Sequence, residues 1–240
     1  MDKDTPAALT STEDQAAEFR KFTAEIQQKL EAGEKRLQIP NGTLSDLHRE
    51  PDYIMVIKII AALEPTVNDL IAGGLGKGGG LGGVPNKITF APVADFAADR
   101  LQLSGRAGKL ELAQLLGMLD NEDVAFAAAV SAIRNRYAHN IKNASRRFID
   151  LVREAKKNDA NLARKLFYGV NVDFEGMPNG FAKVLLAWSF SQFLENAEQR
   201  LQVPKGEFLG GLLGLAVSEK DEPEKPRKGR SAHKPARRPE

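Results

Sequence analysis

The residues best suited to chemistry stand in the six-residue run Arg134–His139, which reads Arg-Asn-Arg-Tyr-Ala-His. The imidazole of His139 can take a proton from a hydroxyl group or return one to a leaving oxygen near neutral pH. The guanidinium of Arg134 can bind a phosphate through two hydrogen bonds and stabilise the charge that it gains in a transition state. Asn135 can orient either group. These three side chains are therefore predicted to be catalytic residues for RNA cleavage without a metal ion.

The same three side chains also permit a structural interpretation. Cations at the C-terminal end of a helix are favoured by the helix dipole, typically by about 0.3–1 kcal/mol. Arg134, Asn135 and His139 would then be a polar helix end that satisfies the last carbonyl groups. The residues alone leave both interpretations open.

A helix over residues 123–139 must position this run. At about 100° per residue, one stripe of the helix is apolar and is predicted to face its own core: Phe126, Val130, Ile133 and Tyr137. The roughly opposite face combines small and polar side chains: Ala125, Ala128, Ala132, Asn135 and His139. Alanines let another helix approach closely, so we predict a homodimer. A two-fold axis near this face would bring two copies of Arg134, Asn135 and His139 together.

Further basic residues follow in the sequence, and we predict that they help to hold a phosphate backbone: Arg136, Lys142, Arg146 and Arg147. The formal net charge of the chain is only +2. Bulk charge therefore does not draw nucleic acid to this protein, and binding of RNA would depend on this local patch.

Glu64 stands out because it lies on the apolar stripe of the clearest predicted helix, over residues 52–71. A carboxylate in an apolar environment is costly unless it is paired. Two interpretations stay open. In the first, Glu64 is a binding-site residue that anchors Arg134. In the second, it is a pairing residue or occupies a partly exposed position on a helix that Pro65 kinks.

These segments resemble the HEPN superfamily. Its signature of an arginine, a polar residue, three further residues and a histidine at a helix end fits Arg134–His139. The preceding segment, residues 106–119, resembles the mannitol-repressor-like branch, in which a Lys-x-x-x-Ala-x-x-Leu-Gly-x-Leu pattern precedes Ile-Arg-Asn-x-x-Ala-His. The helix with Ala61-Ala62-Leu63-Glu64 is similar to the first core helix of that branch. The resemblance covers about residues 52–149.

The resemblance implies an all-helical bundle, usually dimeric. Many members are ribonucleases, often toxins or defence components, whereas the mannitol-repressor branch is linked to transcriptional regulation. Our first hypothesis is therefore a metal-independent endoribonuclease that acts at a dimer cleft. The alternative is a non-catalytic HEPN-like regulator or binding module. The first implies RNA and an antitoxin as partners, and the second implies a regulatory protein partner.

The composition excludes several kinds of functional site and indicates where in the cell the protein lies. The sequence has no cysteine, which excludes disulfides, Cys-ligated zinc, iron–sulfur clusters and thiol nucleophiles. Asp120, Glu122 and Asp123 are interpreted as acids that stabilise a helix N-terminus, so we predict no metal site and no cofactor. No apolar stretch approaches the roughly 20 residues that span a bilayer, and no signal peptide is visible. We therefore predict a cytoplasmic protein without a membrane segment.

The chain is predicted to be all-α, with three parts. Residues 1–48 form a polar segment and an amphipathic helix, residues 49–203 form the HEPN-like domain, and residues 204–240 form an apolar glycine-rich stretch and a basic tail. The first dozen residues and the tail after Ser218 are predicted to be flexible, because they have too few apolar residues to bury.

Local signals place the remaining elements. Ser104 and Asn121 are predicted helix N-caps, and residues 145–168 are predicted to form a basic helical stretch. A last helix is predicted over residues 181–201. Gly73–Gly83 is predicted to be a flexible connector or a lid, since it lacks the Gly-Lys-Ser/Thr ending of a phosphate-binding loop.

Overall fold

The computed structural model describes residues 12–78, 91–170 and 173–202. Within these residues the chain forms eight α-helices and no β-strand: α1 (Thr12–Leu37), α2 (Asp52–Gly78), α3 (Ala91–Arg100), α4 (Lys109–Leu115), α5 (Asn121–His139), α6 (Phe148–Lys156), α7 (Leu162–Leu166) and α8 (Asn179–Gln202). Two short 3₁₀ helices, Leu47–Arg49 and Ile141–Ser145, lie before α2 and after α5. The predicted all-helical bundle is confirmed. The predictions for the first residues and for the tail after Ser218 lie outside the described residues.

Helix α2 lies at the centre of the bundle and packs against α3, α4, α5 and α8. Its buried stripe follows the helical period and has no exposed surface: Met55, Val56, Ile59, Leu63 and Val67. Pro65 lies inside the helix and does not end it. No helix among the described residues is long and apolar enough to cross a membrane.

The first turn of α2 is tied to two later helices by Asp52. Its carboxylate accepts a hydrogen bond from the backbone N–H of Phe148 at 2.6 Å and from Asn179 Nδ2 at 2.8 Å. Lys183 Nζ lies 3.3 Å from the same carboxylate. Because these partners belong to the starts of α6 and α8, one side chain fixes three helices.

Helices α1 and α8 are neighbours although they are far apart in the sequence. Lys29 Nζ lies 2.6 Å from Glu195 Oε2, and Arg36 donates a hydrogen bond to the carbonyl oxygen of Leu194. Ile26 and Leu30 of α1 are buried in the common core. The N-terminal helix thus belongs to the same packed unit as α8.

Glu34 closes the turn that follows α1. Its fully buried carboxylate accepts hydrogen bonds from the backbone N–H groups of Gly42, Leu44 and Ser45, and from the hydroxyl of Ser45. Burial alone would raise the pKa of Glu34, but these hydrogen bonds outweigh it and the pKa lies below its usual value. The carboxylate therefore replaces water for a stretch of backbone outside any helix.

The predicted connector that begins at Gly73 is wrong in its first residues, because α2 continues to Gly78. A Cβ atom on Gly73 would lie 2.8 Å from Leu201 Cδ2, and one on Gly74 would lie 2.8 Å from Met118 Cγ. These glycines therefore permit close packing of α2 against α8 and the segment before α5. Residues 79–83 lie outside the described part of the chain.

Three local predictions also need correction. Helix α4 begins at Lys109 with Gly108 as its N-cap, so Ser104 caps nothing. The N-cap of α5 is Asp120, one residue before the predicted Asn121. The basic stretch over residues 145–168 is divided into α6 and α7, since the backbone turns between Lys157 and Asn161.

The close contact at Gly74 yields a stability prediction. In Gly74→Ala the new Cβ would meet Met118 Cγ at 2.8 Å and Leu116 Cβ at 3.2 Å. Overpacking typically costs about 1–3 kcal/mol, more than the roughly 0.5–1 kcal/mol that alanine gains over glycine within a helix. We expect a net loss of unfolding free energy in urea denaturation. Gly180→Ala is the control, because a Cβ there meets nothing within 4 Å, and unchanged stability of Gly74→Ala would contradict the packing argument.

Candidate functional site

Helix α5 carries the Arg134–His139 run, and its N-terminal end is firmly capped. Asp120 Oδ1 accepts hydrogen bonds from the backbone N–H groups of Glu122 and Asp123, each at 2.9 Å. Asp123 Oδ2 accepts in return from the backbone N–H of Asp120 at 3.2 Å. This reciprocal cap satisfies three donors at the helix start. The interpretation of these acids as helix stabilisers is consistent with these bonds.

Asp123 also anchors α5 to the rest of the bundle. Its carboxylate has no exposed surface and accepts hydrogen bonds from Tyr168 Oη at 2.8 Å and Asn196 Nδ2 at 3.0 Å. Arg200 Nη2 lies 3.3 Å from its second oxygen. Burial, reinforced by the charge of Asp123, raises the pKa of Tyr168 well above its usual value, so the hydroxyl stays a donor. The start of α5 is thereby held by α8 and by the segment after α7.

The two predicted faces of α5 differ in burial as expected. The apolar stripe of Phe126, Val130, Ile133 and Tyr137 is buried in the core. On the other side, Ala132, Asn135 and His139 are exposed, and Ala125 and Ala128 are partly buried. The core prediction for α5 is therefore confirmed. The occupant of the alanine face stays a prediction.

Arg134 and Asn135 form a hydrogen-bonded pair on the surface of α5. Arg134 Nη1 donates to Asn135 Oδ1 at 3.0 Å, and both side chains are exposed. His139, the last residue of α5, lies four positions after Asn135 and so on the same side of the helix. The imidazole is exposed, and it forms no hydrogen bond with the residues that the structure describes.

Arg134 and Asn135 lie at a groove between α5, α2 and the segment that leads into α4. The groove has a volume of about 330 Å³ and is lined by six polar residues: Glu64, Gln102, Ser104, Ser131, Arg134 and Asn135. Ile60 and Leu103 complete it with apolar surface. His139 is not part of this lining. The structure thus brings Glu64, Arg134 and Asn135 to one groove, with His139 one helical turn further along.

Glu64 forms an ion pair within this groove, and its partner is Lys109. Lys109 Nζ lies 2.8 Å from Glu64 Oε1, with 1% of the Lys109 side chain exposed and 49% of the Glu64 side chain. No ion pair joins Glu64 to Arg134 among the described residues. Glu64 therefore acts as the pairing residue of the two interpretations, while its position at the groove leaves it available to a ligand.

Of the four other predicted basic residues, Arg136 lies in the last turn of α5 and the other three follow that helix; all but Lys142 form ion pairs. Arg136 Nη1 and Arg146 Nη1 lie 3.6 Å and 2.7 Å from the carboxylate of Glu154. The hydrogen bond from Arg146 holds the pKa of Glu154 below its usual value. Arg147 pairs with Asp150 through two hydrogen bonds, at 2.8 Å and 3.1 Å. Their positive charge is therefore partly neutralised.

Lys142 is the exception among these four residues. It is exposed, and it forms no ion pair with the described part of the chain. Arg136 and Arg146 share the single carboxylate of Glu154, so the surface around the C-terminal end of α5 keeps an excess of positive charge. No group of three or more histidine, aspartate or glutamate side chains in metal-binding arrangement occurs among the described residues.

Sequence reasoning did not assign three polar groove residues, Gln102, Ser104 and Ser131, to the site, and it did not find the ion-pair partner of Glu64. Ser131 stands one turn before Asn135, a signal that helical spacing could have given. Ser104 was interpreted as a cap, and Gln102 had no distinguishing pattern. Lys109 opens the pattern that resembles the mannitol-repressor branch, but its pairing with Glu64 links residues 45 positions apart. Only the tertiary structure shows that contact.

The unequal burial of Glu64 and Lys109 predicts unequal effects of removing each partner. Glu64→Ala leaves a buried ammonium group without its carboxylate, so we expect a loss of about 1–3 kcal/mol in unfolding free energy. Lys109→Met leaves a half-exposed carboxylate that water can solvate, and methionine fills the apolar stem. We expect the smaller loss for this variant. Urea denaturation of both checks the order, and a larger loss for Lys109→Met would contradict it.

Comparisons with known proteins leave the family of this chain open. No family model, no characterised protein and no solved structure matches the chain.

Proposed function

We propose that this protein is a metal-independent endoribonuclease of the HEPN kind, with Arg134, Asn135 and His139 as its catalytic residues. The observation that carries the proposal is the surface pair of Arg134 and Asn135 at the edge of a polar groove, with His139 exposed on the next turn of α5. A phosphate at this edge would meet a guanidinium group, an amide and an imidazole from one rigid helix.

Each side chain has a defined role in the proposed reaction. His139 takes the proton from the 2′-hydroxyl of RNA, and the 2′-oxygen attacks the neighbouring phosphorus. The bond from phosphorus to the 5′-oxygen breaks, and that oxygen receives a proton from a second imidazole. The products carry a 2′,3′-cyclic phosphate and a 5′-hydroxyl. Arg134 stabilises the charge that builds up on the phosphate oxygens, and Asn135 orients the guanidinium group.

The nitrogen atoms of Arg134 support this role. Nη1 is bound to Asn135, whereas Nη2 and Nε form no hydrogen bond with the described residues. Those two nitrogens suit the bidentate contact that a phosphate accepts from arginine. Lys142 and the surplus charge shared with Glu154 would extend the contact along the RNA backbone.

A homodimer supplies the second imidazole. Among the described residues each chain offers one histidine near the site, His139, and two proton transfers require two groups or a solvent molecule. The small side chains of Ala125, Ala128 and Ala132 on the exposed side of α5 would let the same helix of a second copy approach closely. A two-fold axis there would place two His139 side chains in one cleft.

The second candidate is a non-catalytic HEPN-like regulator, and one observation favours it. Arg136, Arg146 and Arg147 are engaged by Glu154 and Asp150, and no described side chain orients the imidazole of His139. Such a protein would bind a regulatory partner through the same face. Cleavage assays separate the two candidates.

The catalytic proposal predicts cleavage of RNA and not of DNA, because the nucleophile is the 2′-hydroxyl. Cleavage of RNA, resolved on denaturing gels, should continue in EDTA and leave 2′,3′-cyclic phosphate or 3′-phosphate ends. His139→Ala and Arg134→Ala should each lower the rate, by about 10²–10⁴-fold for the general acid–base residue. Arg20→Ala is the matched control, since Arg20 is exposed on α1. Full activity of His139→Ala would contradict the proposal and favour the regulator.

The proposed dimer predicts that charge on the alanine face weakens assembly. Ala128→Glu and Ala132→Glu should each shift light-scattering mass at micromolar concentration from dimer towards monomer, because a carboxylate would be buried between the helices. Ala24→Glu places the same substitution on exposed surface of α1 and should leave the mass unchanged. A monomeric unmodified chain would overturn the dimer.

A further inference from the structure

The groove beside Arg134 contains more hydrogen-bonding capacity than the fold uses. Glu64 Oε1 is bound to Lys109, whereas Glu64 Oε2 forms no hydrogen bond with the described residues. The side chains of Gln102 and Ser104 likewise form none with that part of the chain. The groove volume of about 330 Å³ lies within the range of roughly 300–1,000 Å³ typical of small-ligand pockets. A ligand of nucleoside size would find both space and polar partners there.

The chemistry of Glu64 restricts which ligand group fits. A carboxylate only accepts hydrogen bonds, and its two oxygens offer about four lone-pair positions, of which Lys109 uses one. Lys109 is almost fully buried behind it and therefore fixes the direction of the carboxylate. A ligand edge that faces Glu64 must present hydrogen-bond donors, and two adjacent donors would use both oxygens.

The surroundings of Glu64 suit a flat ring. Ile60 lies one helical turn before Glu64 on α2, and Leu103 lies on the opposite segment, so both give apolar surface to the groove. Gln102 can donate to a carbonyl oxygen of the ligand through its amide group. Arg134 at the rim is the group that meets a phosphate.

We propose that this groove binds a guanine base of single-stranded RNA, next to the phosphate held by Arg134. The inference rests on the proposed ribonuclease function. Guanine is the RNA base with two adjacent donors, N1–H and the N2 amino group, on the edge that proteins read in unpaired RNA. Glu64 accepts from both, and Gln102 donates to the O6 atom. Adenine, cytosine and uracil lack the pair of adjacent donors, so they leave an oxygen of Glu64 without its partner.

Binding of short oligonucleotides to the full chain tests this inference. The probes are fluorescent pentauridylates whose central position is guanosine, inosine, adenosine, cytidine or uridine. Each sugar carries a 2′-O-methyl group, which blocks cleavage. Fluorescence anisotropy should show about tenfold or greater preference for guanosine over the other three standard bases. Inosine keeps N1–H but lacks the N2 amino group, so the affinity for the inosine probe should lie between that for guanosine and those for the other three bases.

Variants connect that preference to Glu64. Glu64→Gln keeps an oxygen for Lys109 but replaces one acceptor by a donor, so the preference for guanosine should disappear. Glu25→Gln, at an exposed position on α1, should retain it. A melting curve shows whether Glu64→Gln is folded, and the guanosine–inosine comparison tests the same contact without any variant. Equal affinity of the unmodified chain for all five probes, or a preference unaffected in Glu64→Gln, would overturn the inference.

A separate cleavage assay distinguishes failure of the groove from failure of the catalytic site. His139→Ala should keep the guanosine preference in binding while losing cleavage. If the unmodified chain cuts RNA but binds all five probes with equal affinity, the guanine inference fails and the ribonuclease proposal stands. If it prefers guanosine but cuts no RNA, the guanine site stands and the ribonuclease proposal fails.

Discussion

Asp123 is a carboxylate with no exposed surface, and such a group is costly unless hydrogen bonds replace the water that it has lost. The side chains of Tyr168, Asn196 and Arg200 and the backbone of Asp120 provide those contacts. Because these partners belong to different parts of the bundle, the carboxylate is satisfied only when α5 lies in one position. The direction of α5, and with it the location of Arg134 and His139, depends on this buried group.

The carboxylates of the core and the carboxylate of the groove differ in how many of their oxygens have partners within the fold. Asp123 uses both of its carboxylate oxygens within the fold, as Asp52 does at the junction of α2, α6 and α8. Glu64, by contrast, keeps one oxygen without a partner among the described residues and remains half exposed. The protein itself thus supplies partners for both oxygens of Asp123 and Asp52. In the groove, one oxygen of Glu64 is bound to Lys109 and the other remains available to a ligand. That contrast is the physical basis for assigning a ligand to Glu64.

Helical spacing was sufficient to predict the arrangement of α5, because its burial follows a period of 3.6 residues: Phe126, Val130 and Ile133 lie in the core, and Asn135 and His139 lie outside. The same method failed at Gly73 and Gly74. Glycine is normally a sign of a turn, but here the missing Cβ atoms make room for Leu201 and Met118, which approach from distant parts of the sequence. A local pattern contains no information on such neighbours.

In the candidate site, too, local sequence patterns predicted some features, and others depend on the tertiary structure. The types and spacing of Arg134, Asn135 and His139 were readable from the sequence, as was the unusual position of Glu64. The Lys109 partner and the contribution of Ser104 to the groove were not, because they depend on how α4 and the segment before it pack against α2. The ion pairs of Arg136 and Arg146 with Glu154 could not be predicted either, because they depend on how α6 packs beside the end of α5.

The contact of α1 with α8 has a consequence for the timing of folding during synthesis. Lys29 and Glu195 are 166 positions apart, so the side of α1 that packs against α8 cannot be covered until α8 has left the ribosome. About 140 residues separate the end of α1 from the start of α8, which at roughly 5–20 residues per second corresponds to a delay on the order of ten seconds. During that interval Ile26 and Leu30 lack their final neighbours, and the nascent chain exposes apolar surface that chaperones can bind.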